Sequence, residues 1–281
     1  MMRLFLLTCL TMTAFAANSL LNRLAVESGG SDPSSFAVLR VFAGAVTLAM
    51  LVRMRGGRLP LWSSRRMIGA GALSLYMVGF STAYLTLDAG LGALILFGVV
   101  QITMFGVTSA TGSLPAARQL AGAGIAFGGL VYILWPAGTV QVDPVGAVLM
   151  ALAGVGWAAY TLAGRAEADA LAGTGANFVV ALPVTGAAIL ILGGSWGMTP
   201  IGAGLAILSG AVTSGLGYAL WYSVLPQLTA SVAATVQLSV PVIAIIGGVL
   251  LLGETVGLRL MLGTVLVLGG IALAVSRRHP G

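Results

Sequence analysis

Apolar runs of about 20 residues fill this sequence from end to end, broken only by short stretches of Gly, Pro, Asp and Arg. An α-helix rises ~1.5 Å per residue, so roughly 20 apolar residues cross the ~30 Å hydrocarbon core of a bilayer. Measured with that ruler, the chain predicts helices over about 4–24, 34–54, 67–87, 90–111, 118–135, 143–164, 173–193, 200–222, 229–252 and 259–276. The breaks carry turn chemistry: Gly29-Gly30-Ser31-Asp32-Pro33, Arg55-Gly56-Gly57-Arg58, Asp88 to Gly92, Gly112 to Pro115 and Pro136 to Pro144. Charged residues are 7% of the 281, against roughly 25% in soluble proteins. A soluble fold cannot hide 58% hydrophobic residues behind so few charges, whereas lipid tails solvate them. The expected fold class is an all-α membrane protein of ten transmembrane helices, with the lipid bilayer as its surroundings.

The charges that exist are thirteen arginines, no lysine and seven acids, a net charge of +6. In a soluble protein such a balance points to nucleic acid; beside membrane helices the arginines are topology signals, and no nucleic-acid partner is expected. One cysteine, Cys9, and one histidine, His279, exclude an internal disulfide, a Cys/His metal cluster, a Ser-His-Asp triad and a Cys-His pair. No metal or cofactor is expected. Without a GxxxxGK[ST] loop or catalytic His, Cys or carboxylate at membrane depth, neither an ATPase nor a membrane-embedded enzyme is expected.

With the N-terminus in the cytoplasm, Arg3, Arg53, Arg55, Arg58, Arg65, Arg66, Arg118, Arg165, Arg277 and Arg278 all fall inside, and Arg23 and Arg259 outside. This asymmetry predicts that both termini are cytoplasmic, in a bacterial inner membrane. Arg3, the apolar stretch and Ala14-Phe15-Ala16 also resemble a cleavable signal peptide. An internal repeat argues against cleavage. Phe15-Ala16-Ala17-Asn18-Ser19-Leu20 with Arg23 recurs 142 residues later as Trp157-Ala158-Ala159-Tyr160-Thr161-Leu162 with Arg165. Arg118 with Gly122, Gly128 and Gly129 matches Arg259 with Gly263, Gly269 and Gly270; Tyr84 and Leu87 align with Tyr222 and Leu225, and Gln101 with Gln237. The chain divides into a first five-helix repeat, 1–137, and a second, 138–281. An odd helix count per half inverts the second copy, so the expectation is two inverted repeats around a central cavity, the architecture of alternating access.

With the two five-helix halves, the first-helix pattern, Arg40 in Phe36-Ala37-Val38-Leu39-Arg40-Val41-Phe42, and Gly253-Glu254 before the tenth helix, the chain resembles the drug/metabolite transporter superfamily, EamA type. Its aromatic third and eighth helices look most like the bacterial amino-acid and metabolite exporters, including the aromatic amino-acid/paraquat exporter group. The resemblance implies a secondary transporter exporting amino acids or amphipathic metabolites, as a monomer or homodimer. Export of drugs or quaternary amines, import of another metabolite, and a scaffold or channel subunit are the alternatives.

Polar groups within the hydrocarbon region face protein or a water-filled cavity. Thr8, Thr11, Phe15, Asn18 and Asn22 recur at spacings of three and four and share a face. Trp157 and Tyr160 repeat the idea in the sixth helix, as do Tyr76, Phe80 and Tyr84 in the third and Tyr218, Trp221 and Tyr222 in the eighth. The fourth and ninth helices each hold one amide, Gln101 and Gln237. These twelve residues (Asn18, Asn22, Tyr76, Phe80, Tyr84, Gln101, Trp157, Tyr160, Tyr218, Trp221, Tyr222, Gln237) are the candidate substrate site. Each stripe has a plainer reading as interhelical packing, and Tyr84 and Tyr222 one as interfacial belt. Gly124 and Gly128, with Gly263, Gly269 and Gly270, read as packing, within the monomer or in a dimer. Pro183 and Pro241 read as bending points. For Arg40, about six residues inside the second helix, snorkelling to the outer surface or pairing with Glu27 or Asp32 is favoured over substrate contact.

Overall fold

The structure, a computed structural model, describes residues 2–28, 30–111, 117–135, 142–164, 167–191, 196–228 and 236–275. The described residues form helices and no β-strand. In order these are α1 (Met2–Arg23), α2 (Pro33–Met54), α3 (Ser64–Ala83), α4 (Ala89–Thr111) and α5 (Ala117–Leu134). There follow α6 (Pro144–Gly164), α7 (Ala170–Ile191), α8 (Pro200–Gln227), α9 (Ser239–Leu252) and α10 (Leu258–Val275). A helix occupies each expected place. By length and hydropathy, six of the described helices (α1, α2, α4, α6, α7 and α8) qualify to cross a membrane, while α9 and α10 are apolar but shorter.

Local chemistry sets the helix starts. Asp32 accepts from the Ser34 N–H at 2.8 Å, Asp143 from the Gly146 N–H at 2.6 Å and Thr199 from the Gly202 N–H at 3.1 Å. Each is followed by a proline in the first helical position, where a missing N–H costs nothing. Asp169 does the same for Ala172 at 3.0 Å. Pro183 lies inside a continuous α7, whereas Pro241 is the third residue of α9. A proline ring clashes with the carbonyl four residues back, and the chain turns at Leu238, beside that carbonyl. At the far end α9 closes on Gly253 with φ 69°, a left-handed conformation that favours glycine.

Packing sets α5 against α10, α2 against α7 and α8, α3 against α6 and α7, α4 against α6 and α9, and α1 against α8 and α9. Between α5 and α10 the backbones nearly touch: a Cβ on Gly122 would stand 2.5 Å from the Gly270 carbonyl oxygen, and one on Gly270 2.6 Å from that of Gly122. Gly124 and Gly128, expected to pack, are exposed, with nothing within 4 Å of an added Cβ. At 3.6 residues per turn, 122, 126, 129 and 133 form the seam, and 124 and 128 lie round the helix from it. Phe5, Val46, Ile125, Leu190, Ile201, Leu250 and Val265 are exposed, the apolar coat of a protein solvated by lipid. Trp62, Trp135 and Trp196 stand exposed beside helix ends, where an interfacial aromatic belt belongs.

Candidate functional site

The α1 face predicted from spacing is buried along its length: Thr8, Thr11, Phe15, Asn18 and Asn22. Thr8 and Thr11 spend their hydroxyls on carbonyls of their own helix, at 2.8 and 2.7 Å. Phe15 and Asn18 instead reach the centre of the protein. There they line a narrow cavity with Tyr76 and Phe80 of α3, Trp157 of α6 and Tyr218 of α8. The rings enclose it at short range: Phe15 meets Trp157 edge-on at 5.4 Å, Tyr76 lies 5.1 Å from Trp157, and Trp157 4.6 Å from Tyr218. Leu96 and Phe97 of α4 join the lining, so five helices contribute to it, α3 with two rings.

Behind Tyr76 and Tyr218 lies Arg40, wholly buried. Its Nε donates to Ser214 Oγ at 2.8 Å, and its Nη2 donates to the hydroxyls of Tyr218 at 3.0 Å and Tyr76 at 3.1 Å. The guanidinium carbon sits 5.0 Å from the Phe80 ring centre, within cation–π range. Its Nη1 has no hydrogen-bond partner. The expectation that Arg40 snorkels outward or pairs with Glu27 or Asp32 is therefore wrong. Its side chain points across to α3 and α8, and the chain's acids are engaged elsewhere. Glu27, Asp88 and Glu254 face Arg23, Glu167 pairs with Arg66, and Asp169 with Arg55. Asp32 and Asp143 cap helices. All seven lie at helix ends, so the buried cation has no carboxylate of its own.

Asn18 is the second polar centre. Its Oδ1 accepts from the hydroxyls of Ser209 (2.8 Å), Thr213 (2.6 Å) and Ser214 (3.1 Å), and its Nδ2 donates to the Thr213 carbonyl at 3.2 Å. Ser214 thereby links Arg40 to Asn18. Sequence reasoning missed these three hydroxyls. They sit on Ser209–Leu216, a π-helical stretch of α8, a geometry frequent at functional sites.

The remaining predicted residues are buried but lie away from the cavity lining. Asn22 donates to Ser81 Oγ at 2.9 Å, one turn nearer the Arg23 end. Tyr84 donates to the Ala89 carbonyl at 3.4 Å and Tyr222 to the Tyr160 carbonyl at 3.0 Å; both are buried, which removes them from the interfacial belt. Tyr160 stacks between Trp157 and Tyr222, and Trp221 packs edge-on against Phe15 at 5.9 Å. Gln101 and Gln237 are buried in α4 and just ahead of α9, and neither is among the residues lining the cavity.

Polar clusters tie the helix ends on either side. At one end Arg23 of α1 bonds the Tyr84 carbonyl at 2.9 Å and faces Glu27 at 2.8 Å, Asp88 at 3.4 Å and Glu254 at 4.0 Å. Glu254 also accepts from the first N–H groups of α4, Ala89 at 2.6 Å and Gly90 at 3.4 Å. Burial nevertheless pushes its carboxyl above the usual range. At the other end Arg66 holds the Gly173 carbonyl, Asn177 and Glu167.

A model of the EamA-like transporter family matches residues 144–276. Uncharacterized protein PA1977 of Pseudomonas aeruginosa is 46% identical over 278 residues, covering 98% of this chain and 96% of that protein. A solved crystal structure superposes with a TM-score of 0.68 at 20% identity, over 95% of this chain and 97% of its own, a likeness of fold.

Proposed function

Because the chain belongs to the EamA-like transporter family, we propose that it is a secondary transporter exporting amino acids or related small metabolites across a bacterial inner membrane by alternating access. The observation that carries this reading is the central cavity, where α1, α3, α4, α6 and α8 meet around rings, with Asn18 in its lining and Arg40 behind Tyr76 and Tyr218.

The helix pairings support two inverted five-helix repeats. If α1–α5 correspond to α6–α10, then α2·α7, α4·α9 and α5·α10 are self-equivalent contacts and α3·α6 is the counterpart of α1·α8. One side-chain pair fits the same relation: Phe15 touches Trp157, its counterpart 142 residues on. Equivalent residues that touch lie on the axis relating the halves. A site on that axis can face either side when the halves exchange conformations. The Arg23 and Arg66 clusters then act as the two closures, of which one must open at a time. Placing the Arg23 end outside and both termini in the cytoplasm follows the arginine asymmetry, of which Arg165, Arg277 and Arg278 lie outside the described residues.

The purified protein in liposomes, loaded in turn with amino acids, quaternary amines and sugars, tests the proposal through exchange with labelled external substrate. Saturable exchange of an amino acid is the expected result. Protein-independent flux for all three classes would favour a scaffold, and non-saturable flux a channel subunit.

A further inference from the structure

Arginine carries five N–H donors. In Arg40 three are engaged, on Ser214, Tyr76 and Tyr218, and both hydrogens of Nη1 are unpaired in a wholly buried side chain. Removing an ion from water costs several kcal/mol, and only a counter-charge with good hydrogen bonds offsets it. The chain's own acids are all committed at helix ends. Two further donors wait nearby. The Tyr76 hydroxyl accepts from Arg40 and Tyr218, which leaves its own proton to donate. The buried Trp157 indole N–H has no partner and lines the same cavity.

We propose that this cluster is the anion subsite of the transport site, and that the transported molecule carries a carboxylate held by Arg40 and Tyr76, with a flat or apolar body received between Phe15, Phe80 and Trp157 once these rings part, since the cavity as it stands has room for about one water molecule. The proposal rests on the transporter reading and narrows it to carboxylates, against quaternary amines. The two hydrogens of Nη1 diverge, so one of them bonds one carboxylate oxygen, and the free proton of the Tyr76 hydroxyl supplies the second donor. A phosphate brings more charge and more acceptor oxygens than these donors satisfy, and would stay under-bonded. An ammonium compound would meet a fixed like charge in a low-dielectric setting.

Binding is measured in detergent, apart from transport, by protection of the intact protein against thermal unfolding. The probes are 3-phenylpropionate, phenylalanine, phenylphosphate and phenethylamine. Protection by the two carboxylates and none by phenethylamine is expected. Arg40→Gln should weaken carboxylate binding roughly 10- to 100-fold, the loss of a charge-assisted contact. Its unfolding temperature without ligand should equal or exceed the wild-type value, because a buried unpaired charge is gone. A merely structural arginine would give the opposite. Should Arg40→Gln not fold, Tyr76→Phe decides, with an expected loss of about 5- to 10-fold for the carboxylates. Protection by phenethylamine or phenylphosphate equal to that by 3-phenylpropionate, no protection by any carboxylate, or undiminished carboxylate binding in the variants overturns the proposal. Carboxylate binding without exchange in liposomes would instead sink the transporter reading and leave the subsite standing.

Discussion

Replacing Asn18 by leucine removes an amide of similar size from the junction of α1 and α8. The amide makes four hydrogen bonds to Ser209, Thr213 and Ser214. One carbonyl oxygen has two lone pairs, and Thr213 already shares its proton with the Ser209 carbonyl at 3.1 Å. About three of the four therefore count. Interhelical hydrogen bonds in membranes average ~0.6 kcal/mol, which gives a loss of about 2 kcal/mol, or roughly 30-fold in the unfolding equilibrium. Freed hydroxyls turn back onto carbonyls of their own helix, as Thr8 and Thr11 do, so the cost should not rise much further. Equilibrium unfolding in mixed detergent–SDS micelles measures it. A double-mutant cycle with Ser214→Ala should return a coupling of about 0.6 kcal/mol. A change below ~0.5 kcal/mol for Asn18→Leu would refute the network, since three bonds of average strength cannot sum to so little.

Gly270→Val should lower stability by about 1–3 kcal/mol through overpacking against α5, whereas Gly124→Val, in open space, should change it by less than ~0.5 kcal/mol; similar unfolding curves for both would contradict the seam. Because burial raises the Glu254 carboxyl, the folded protein holds that proton more tightly than the unfolded chain. Stability from this group therefore falls as pH rises from the ordinary carboxylate range through the raised value. Glu254→Gln should outlast the wild type near neutrality and lose that advantage in acid, while Asp143 and Asp169, both shifted downward, act equally in the two proteins; parallel pH profiles of the unfolding midpoint would discard the idea.

The α1 face was legible because a three-and-four spacing survives in any helix, and Phe15, Asn18 and Asn22 are buried as it required. The aromatic stripes were legible for the same reason. Arg40 was not. Its distance from the helix end can be counted in the sequence, but which neighbour its side chain meets depends on how α2 turns against α3 and α8. Ser209, Thr213 and Ser214 gave no signal either, because hydroxyls in apolar helices commonly bond their own backbone. In an α-helix residues five apart diverge; the i to i+5 bonding of the π stretch brings Ser214 round to the side of Ser209. The repeat was traced through Tyr84 and Tyr222, which end on different carbonyls. Phe15 and Trp157 keep the 142-residue offset and touch, a fact that only their contact makes visible.

If the chain exports a carboxylate as proposed, the uncompensated charge of Arg40 also bears on what drives it. A site of charge +1 that takes up a monoanion crosses as a neutral pair, so the net charge carried outward is that of the anion. A bacterial interior is electrically negative, and each elementary charge gains about 2.3 kcal/mol per 100 mV of membrane potential. That corresponds to roughly a 50-fold concentration ratio in favour of the outside. Such a carrier is voltage-driven without any group that must take up or release a proton. A zwitterion in the same site gains nothing from the field and leaves only down its own gradient.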